Sequence, residues 1–148
     1  MADVSAAQRS MITDLMARAG RRLDGACTAA SRQKVTEGEF DNNFDGVVTA
    51  IVHVVEAVEI ARHGRMRAYG EGEESTVIRA AQAELIAAGI PDTPAASRLI
   101  DLNARRNTSV HGHWTEALDR EALEDAITVA RSFRRAAVLY LERRGIDA

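Results

Sequence analysis

The chain has 148 residues, and its 46% hydrophobic and 28% charged residues are typical of a globular protein and exclude a disordered one. Only 4% of the residues are aromatic and two are prolines, which favours packed helices and argues against a β-sandwich or β-barrel. A single cysteine excludes an internal disulfide, and a net charge of −3 gives no general sign of nucleic-acid binding.

The first predicted helix opens with the capping-box pattern Ser5-Ala6-Ala7-Gln8 and ends before Gly38. The second begins near the polar cluster Asp41-Asn42-Asn43 and runs to about Arg67. Because apolar residues cover most of the circumference of this second helix, we expect it to be the buried central helix.

The third predicted helix follows the run Glu71-Gly72-Glu73-Glu74, whose acids suit a helix N-terminus, and it stops at Gly89. Thr93 is the predicted N-cap of the fourth helix, with Pro94 at its first position. The boundary between these two helices is therefore predicted to be a short loop.

The fifth predicted helix spans about Asp119 to Arg144, and Gly145 follows it as a stop signal. Short loops between long amphipathic helices predict mainly antiparallel neighbours. The sequence therefore predicts an all-α fold, an up-and-down helical bundle of four to five helices. No repeat or linker divides the chain, so we expect one helical domain over residues 1–148.

No feature of a secreted or membrane-bound protein is expected. The start of the chain lacks the basic and apolar regions of a secretion signal. The longest apolar run, from Val47 to Val58, is interrupted by polar residues and is too short to cross a membrane. With Cys27 as the only cysteine, these features predict a cytoplasmic protein without a membrane partner.

Residues 105–114, with the sequence RRNTSVHGHW, place two arginines, an asparagine and two histidines after the fourth predicted helix. A regular helix would point Arg106 and His111 about 140° apart. Thr108 and Gly112 are weak helix formers, so we expect the helix to end or change pitch there, which lets the two side chains converge. Alternatively, each side chain meets the partner's copy across a two-fold axis.

The residue types in this segment suit the binding of, or attack on, a phosphodiester. The Arg106 guanidinium matches phosphate oxygens, and histidine, here His111, is the residue type whose unperturbed pKa best allows proton transfer near neutral pH. Asn107 adds an uncharged donor and acceptor beside them. No metal is needed when an RNA 2′-hydroxyl attacks its own phosphate, if a base takes the proton and a cation stabilises the charge.

The run Arg106-Asn107-Thr108-Ser109-Val110-His111 resembles the R-x4–6-H motif of HEPN domains, in which an asparagine often follows the arginine. The all-α layout and the late position of the motif are also similar. The resemblance implies a metal-independent endoribonuclease without a cofactor, often a toxin or a defence effector. It further implies RNA as the substrate, a homodimer that brings both motifs to one cleft, and an antitoxin or regulatory protein as a partner.

By this resemblance His111 activates the 2′-hydroxyl, Arg106 stabilises the charged phosphate, and Asn107 orients them. The products would carry a 2′,3′-cyclic phosphate and a 5′-hydroxyl. Arg105 also fits the permitted spacing, but Arg106 directly precedes Asn107, so Arg105 is the candidate for contact with the RNA backbone. Some HEPN toxins carry a modified tyrosine where this chain has His113, which puts that mode of control in doubt and makes His113 a candidate second titrating group. The other interpretation, which we favour, is that His113 and Trp114 belong to a loop packed over the helix ends.

The second predicted helix carries a polar stripe that includes His53 and Glu56. The resemblance makes Glu56 or Glu59 a candidate to hold the motif in place, as acidic residues on an early helix do in some HEPN proteins. The other interpretation is a partly exposed or interfacial face. Because a buried carboxylate without a partner is costly, we expect at least one of these acids to meet an arginine.

Two other functions stay open. A HEPN-like bundle without catalytic activity would bind RNA, a nucleotide or a protein. A bundle with His53, His111 and His113 as metal ligands would resemble the metal-dependent DinB-like proteins, although the chain has no His-x3-His pair.

Arginine is used almost exclusively as the basic residue, with Lys34 the sole lysine among the nineteen basic residues. Compositional bias is one explanation. The other is that some arginines line a local phosphate-binding surface inside an acidic protein. The candidates for such a surface are Arg62, Arg65 and Arg67, and Arg131, Arg134 and Arg135.

Overall fold

The computed structural model describes residues 4–32, 36–65, 74–107 and 116–148. All regular structure within these ranges is α-helical, which confirms the predicted all-α helical bundle. The five helices in chain order are α1 Ala6–Ala30, α2 Glu37–His63, α3 Glu74–Ala87, α4 Ala96–Asn107 and α5 Glu116–Arg143.

The N-terminus of α1 has the predicted capping box. The Ser5 hydroxyl accepts a hydrogen bond from the Gln8 backbone N–H at 3.2 Å, and the Ser5 backbone N–H donates to the Gln8 Oε1 at 2.7 Å. These two bonds satisfy donors that a helix start otherwise leaves without a partner. The reciprocal pair therefore sets where α1 begins.

The α2 helix begins four residues before the predicted polar cluster and ends four residues before the predicted Arg67. Thr36 is its N-cap and accepts a hydrogen bond from the Glu39 backbone N–H at 3.3 Å. At the other end Gly64 adopts a left-handed conformation with φ 73°, and its N–H donates to the carbonyl of Ile60 at 2.8 Å. Glycine takes this conformation without a steric penalty, so the helix ends there.

The predicted start of α4 is wrong by two residues. The Thr93 hydroxyl donates to the carbonyl of Ile90 at 3.0 Å, so it belongs to the α3–α4 turn and does not cap α4. The carbonyl of Pro94 accepts a hydrogen bond from the Gln82 side chain at 3.2 Å. The first helical hydrogen bonds of α4 run to the carbonyl of Ala95. Tertiary contacts of the turn thus delay the helix start.

Two contacts at each end of the bundle establish the directions of α1, α2 and α5. Arg120, near the start of α5, donates to the carbonyl of Ala30 at the end of α1 and lies over Phe40 near the start of α2. At the opposite end, Gln8 and Arg9 at the start of α1 donate to the carbonyls of Gly64 and Gly145, which follow α2 and α5. Hence α1 is antiparallel to both α2 and α5, and α2 and α5 run in the same direction.

All five helices contribute to one hydrophobic core. The α2 helix is central, as predicted, since Val47, Val48, Ala50, Ala57 and Val58 have no exposed surface. Among the described residues the buried polar side chains are Glu59 and Asn103. None of the helices in the described ranges has the length and apolar character required to span a membrane.

Candidate active site

The last turn of α4 lies beside the first turns of α2. Its helical backbone includes Arg106 and Asn107, and the Arg105 guanidinium carbon lies 5.0 Å from the centre of the Phe44 ring. This contact brings the start of the predicted motif to the end of the bundle at which α1 ends and α2 and α5 begin. The side chains of Arg106 and Asn107, and all of residues 108–115 with His111 and His113, lie outside the described part. The predicted convergence of arginine and histidine therefore stays a prediction.

The inward face of α4 becomes polar toward this end. Leu99 is fully buried, and Asn103, one turn later, is 6% exposed. The Asn103 Nδ2 donates to the Glu74 Oε2 at 3.2 Å, and within the described ranges the Asn103 Oδ1 has no hydrogen-bond partner. Residues three and four positions apart share a helix face, so this stripe continues directly to Arg106 and Asn107.

Three arginines of the described ranges surround the same end of the bundle, and we call this set the basic end: Arg32, Arg105 and Arg120. Arg105 and Arg120 lie over Phe44 and Phe40, with guanidinium-to-ring distances of 5.0 Å and 5.8 Å. The stacked arrangement holds each planar cation against an aromatic ring. The basic end therefore places three arginines on the helix ends that flank the predicted motif.

Carboxylates accompany these arginines on the first turns of α2. Arg32 lies 3.7 Å from Glu39 in an ion pair whose side chains are 60% and 41% exposed. Asp41 and Asp45 are exposed and lie one helical turn apart, on either side of Phe44 in the sequence. An exposed ion pair such as Arg32–Glu39 contributes little stability, about 0–1 kcal/mol, so it leaves Arg32 able to exchange partners.

The predicted supporting residue Glu56 lies elsewhere on α2. It follows Phe44 by twelve residues, which corresponds to about 18 Å along the helix axis and a rotation of about 120°. Its carboxylate lies 3.6 Å from the His53 Nδ1, and the two side chains are 18% and 15% exposed. The described contacts thus connect Glu56 to His53, and a role for Glu56 at the motif stays a prediction.

The expectation that a buried acid of α2 meets an arginine is confirmed at Glu59. Its side chain is 4% exposed, and its Oε1 lies 3.4 Å from the Arg62 guanidinium. Arg62 also lies 3.5 Å from Glu84 on α3, and Glu84 accepts hydrogen bonds from Tyr140 at 2.9 Å and Arg144 at 3.1 Å. We call these five residues the ionic network. It joins α2, α3 and α5 at the end of the bundle away from Arg106.

The environment of Tyr140 raises the pKa of its phenol above the ordinary value of 10.0. Burial is the largest cause, and the hydrogen bond to Glu84 acts in the same direction. Arg144, whose guanidinium lies 4.3 Å from the ring centre, opposes the shift. Tyr140 therefore stays neutral at any ordinary pH and serves as a hydrogen-bond donor that holds α5 against α3.

Sequence reasoning missed Asn103, although a signal for it was present. It is a polar residue four positions after Leu99, where the apolar stripe of α4 should continue. Sequence reasoning also could not assign the level at which α4 crosses α2, because that level depends on contacts between distant parts of the chain. The structure shows that the last turn of α4 contacts α2 at Phe44 and not at Glu56.

The metal-binding alternative has no support from the described residues, although two of its three ligands lie beyond them. No group of three or more His, Cys, Asp and Glu side chains in those ranges is placed to hold a metal ion. Both ring nitrogens of His53 lack a hydrogen-bond partner there.

The resemblance to HEPN domains thus depends on the motif itself and on the all-α architecture. Comparison of the chain with protein-family models, with curated proteins and with solved structures gave no match.

Proposed function

We propose that this protein is a metal-independent endoribonuclease of HEPN type whose active site contains Arg106, Asn107 and His111. One observation carries the proposal: the last turn of α4, which includes Arg106 and Asn107, ends among the arginines of the basic end. The polar turn at Asn103 supports it, because the buried Asn103 Oδ1 has no hydrogen-bond partner within the described ranges, and a buried polar atom without one costs about 1–3 kcal/mol.

In the proposed reaction the His111 imidazole takes the proton of an RNA 2′-hydroxyl. The 2′-oxygen forms a bond to the adjacent phosphorus as the bond from phosphorus to the 5′-oxygen breaks. The departing 5′-oxygen receives a proton, for which His113 is the candidate donor. The products are a 2′,3′-cyclic phosphate and a 5′-hydroxyl, and no oxidant, reductant or metal is consumed.

The other residues supply charge and orientation. The Arg106 guanidinium stabilises the negative charge that develops on the non-bridging phosphate oxygens, and Asn107 orients the reacting groups. Arg105, held over Phe44, binds the RNA backbone next to the reacting phosphate. A homodimer would bring two copies of the motif to one cleft. Such a nuclease would act as a toxin or defence effector restrained by an antitoxin or regulatory protein.

The test is cleavage of single-stranded RNA in the presence of EDTA. We expect the wild-type protein to cleave, and Arg106→Ala and His111→Ala each to lose about 100-fold or more in rate, which is the usual contribution of a general base or a charge-stabilising donor. Arg79→Ala, an exposed arginine of α3, is the matched control and should cleave normally. A substrate with a 2′-deoxy group at the scissile nucleotide should stay intact.

Each alternative gives a different result. Cleavage of the 2′-deoxy substrate at the same bond would refute the proposed chemistry. Activity that EDTA abolishes would support the metal-dependent bundle, and RNA binding without products would support the non-catalytic binding module.

The shared cleft has its own test. A mixture of Arg106→Ala and His111→Ala protomers forms heterodimers that hold one intact arginine and one intact histidine on different chains. We expect such mixtures to regain activity if the two motifs meet. Mixtures as inactive as either variant alone, despite subunit exchange, would contradict a composite site.

A further inference from the structure

A hollow of about 290 Å³ lies between α1 and α5, away from the predicted motif. Its charged lining consists of Asp24 on α1 and Arg131, Arg134 and Arg135 on α5. Gly20 of α1 also lines it. Three positive charges face one negative charge, although the whole chain carries a net charge of −3. The α1–α5 hollow is thus a local positive region in an acidic protein, which attracts anions.

Two of the three guanidinium groups are held in place by the protein. The Arg134 Nε donates to the carbonyl of Met16 at 3.0 Å, and the Arg131 Nη2 lies 3.2 Å from the Asp24 carboxylate. The absence of a side chain at Gly20 makes room for Arg134, since a Cβ there would lie 3.1 Å from the Arg134 Nη2. Groups that are already ordered lose less entropy when they bind a ligand.

The third guanidinium is directed to solvent. Arg135 is exposed and has no hydrogen bond or ion pair within the described ranges. An arginine fork binds phosphate oxygens in a bidentate manner. Within the described ranges Arg134 and Arg135 both lack a carboxylate partner, and Arg135 is the lining arginine that also lacks a hydrogen bond.

The neighbouring hollow serves as an internal comparison. It has a similar volume, about 280 Å³, and shares Arg135, but its other charged residues are Asp92 and Glu142. These carboxylates outnumber the arginine and repel an anion. The positive region of the α1–α5 hollow therefore does not extend into this second hollow.

We propose that the α1–α5 hollow binds a phosphate group, and that this phosphate belongs to the RNA strand. The geometry of the hollow supports the phosphate site. The inference that the phosphate belongs to RNA rests on the proposed function. Along α5, the arginines of the hollow follow Arg120 by 11 to 15 residues, which is about 16 to 22 Å. At about 3.4 Å per stacked nucleotide, a strand that leaves the basic end reaches the hollow after about five to seven nucleotides.

The experiment measures binding of a fluorescent 2′-O-methyl RNA of about twelve nucleotides, which has no 2′-hydroxyl to attack and stays intact. We expect Arg135→Gln to raise the Kd about fivefold at low salt and to lower the slope of log Kd against log salt by about one. Arg79→Gln removes the same charge from an exposed position on α3 and should change neither. Equal Kd and slope in the two variants would refute the RNA contact.

A second measurement separates the two sources of phosphate. Titration with inorganic phosphate should shift the amide NMR signals of Gly20 and of residues 131–135, and Arg135→Gln should abolish the shifts. No shift at these signals would refute the phosphate site. Shifts with phosphate, combined with RNA binding that does not depend on Arg135, would refute the RNA strand as the source.

Failure of this inference is distinguishable from failure of the proposed function. RNA cleavage combined with Arg135-independent binding would refute the RNA contact at the hollow and leave the ribonuclease proposal intact. RNA binding that depends on Arg135, combined with no RNA cleavage, would refute the ribonuclease proposal and support the phosphate site in the hollow. Because Arg135 makes no contact that holds the described fold, Arg135→Gln should unfold at the same temperature as the wild type.

Discussion

Two glycines inside α1 differ in what surrounds them, and we therefore expect their substitution by alanine to change the free energy of unfolding differently. Gly25 is exposed with no atom within 4 Å of an added Cβ, whereas Gly20 lies under the Arg134 guanidinium. Glycine inside a helix is about 0.5–1 kcal/mol less favourable than alanine. We therefore expect Gly25→Ala to raise the free energy of unfolding by about that amount, as measured by urea denaturation.

Gly20→Ala is the matched comparison. Its Cβ would displace Arg134 and weaken the hydrogen bond from the Arg134 Nε to Met16, which is worth about 0.5–1.5 kcal/mol. We expect the helix gain to be offset, so that Gly20→Ala is less stable than Gly25→Ala by at least about 0.5 kcal/mol. Equal gains in the two variants would mean that Gly20 does not position Arg134.

Tyr140 makes the stability depend on pH above the neutral range. Its pKa is raised in the folded protein, mainly by burial, so between pH 10 and that raised value the folded chain keeps a proton that the unfolded chain loses. The contribution is therefore fully present below about pH 10 and is lost as the pH rises. Between about pH 10 and pH 11, Tyr140 should lower the free energy of unfolding by up to about 1.4 kcal/mol per pH unit.

The measurement compares urea unfolding of the wild type and Tyr140→Phe across this range. The variant should be less stable near neutral pH by about 1 kcal/mol, because the hydrogen bond to Glu84 is lost, and its pH slope should be smaller. Identical slopes for wild type and Tyr140→Phe would contradict the raised pKa.

The sequence correctly predicted those helix ends that are determined by a residue close to the end itself. Ser5 and Gln8 cap their own helix, and Gly145 with φ 72° follows α5 as predicted. The start of α2 was mispredicted because Asn43 is accommodated inside the helix, where its Nδ2 donates to the carbonyl of Glu39 at 2.7 Å. A polar cluster therefore indicates a helix start only when no earlier residue, here Thr36, provides the cap.

The candidate site was predictable in its residues but not in its surroundings. Spacing along one helix showed that Leu99 and Arg106 share a stripe, and the structure adds Asn103 between them. Spacing within α2 also grouped His53 with Glu56, which the structure confirms as a contact. Which part of α2 meets α4 depends on the tertiary packing of both helices, and no pattern inside either helix encodes it.

The bundle consists of three long helices and a shorter α3–α4 pair. The helices α1, α2 and α5 have 25, 27 and 28 residues, whereas α3 and α4 have 14 and 12. Among the described side chains of α4, only Leu99 and Asn103 are buried. The helix that leads to the proposed active site therefore buries few of its described side chains. This arrangement suits a site that adjusts to a substrate.

We expect the amides of α4 to exchange with solvent through a local opening of lower free energy than global unfolding. Leu141→Ala tests this expectation. Leu141 is fully buried, on the same face of α5 as Arg134, which contacts α1. Truncating the Leu141 side chain should lower the free energy of global unfolding by about 2–5 kcal/mol. Hydrogen–deuterium exchange of the α4 amides, measured by mass spectrometry under native conditions, should nevertheless be unchanged in Leu141→Ala. Leu99→Ala, the matched substitution on α4, should accelerate it strongly. Equal acceleration of α4 in both variants would show that α4 opens only when the whole bundle unfolds.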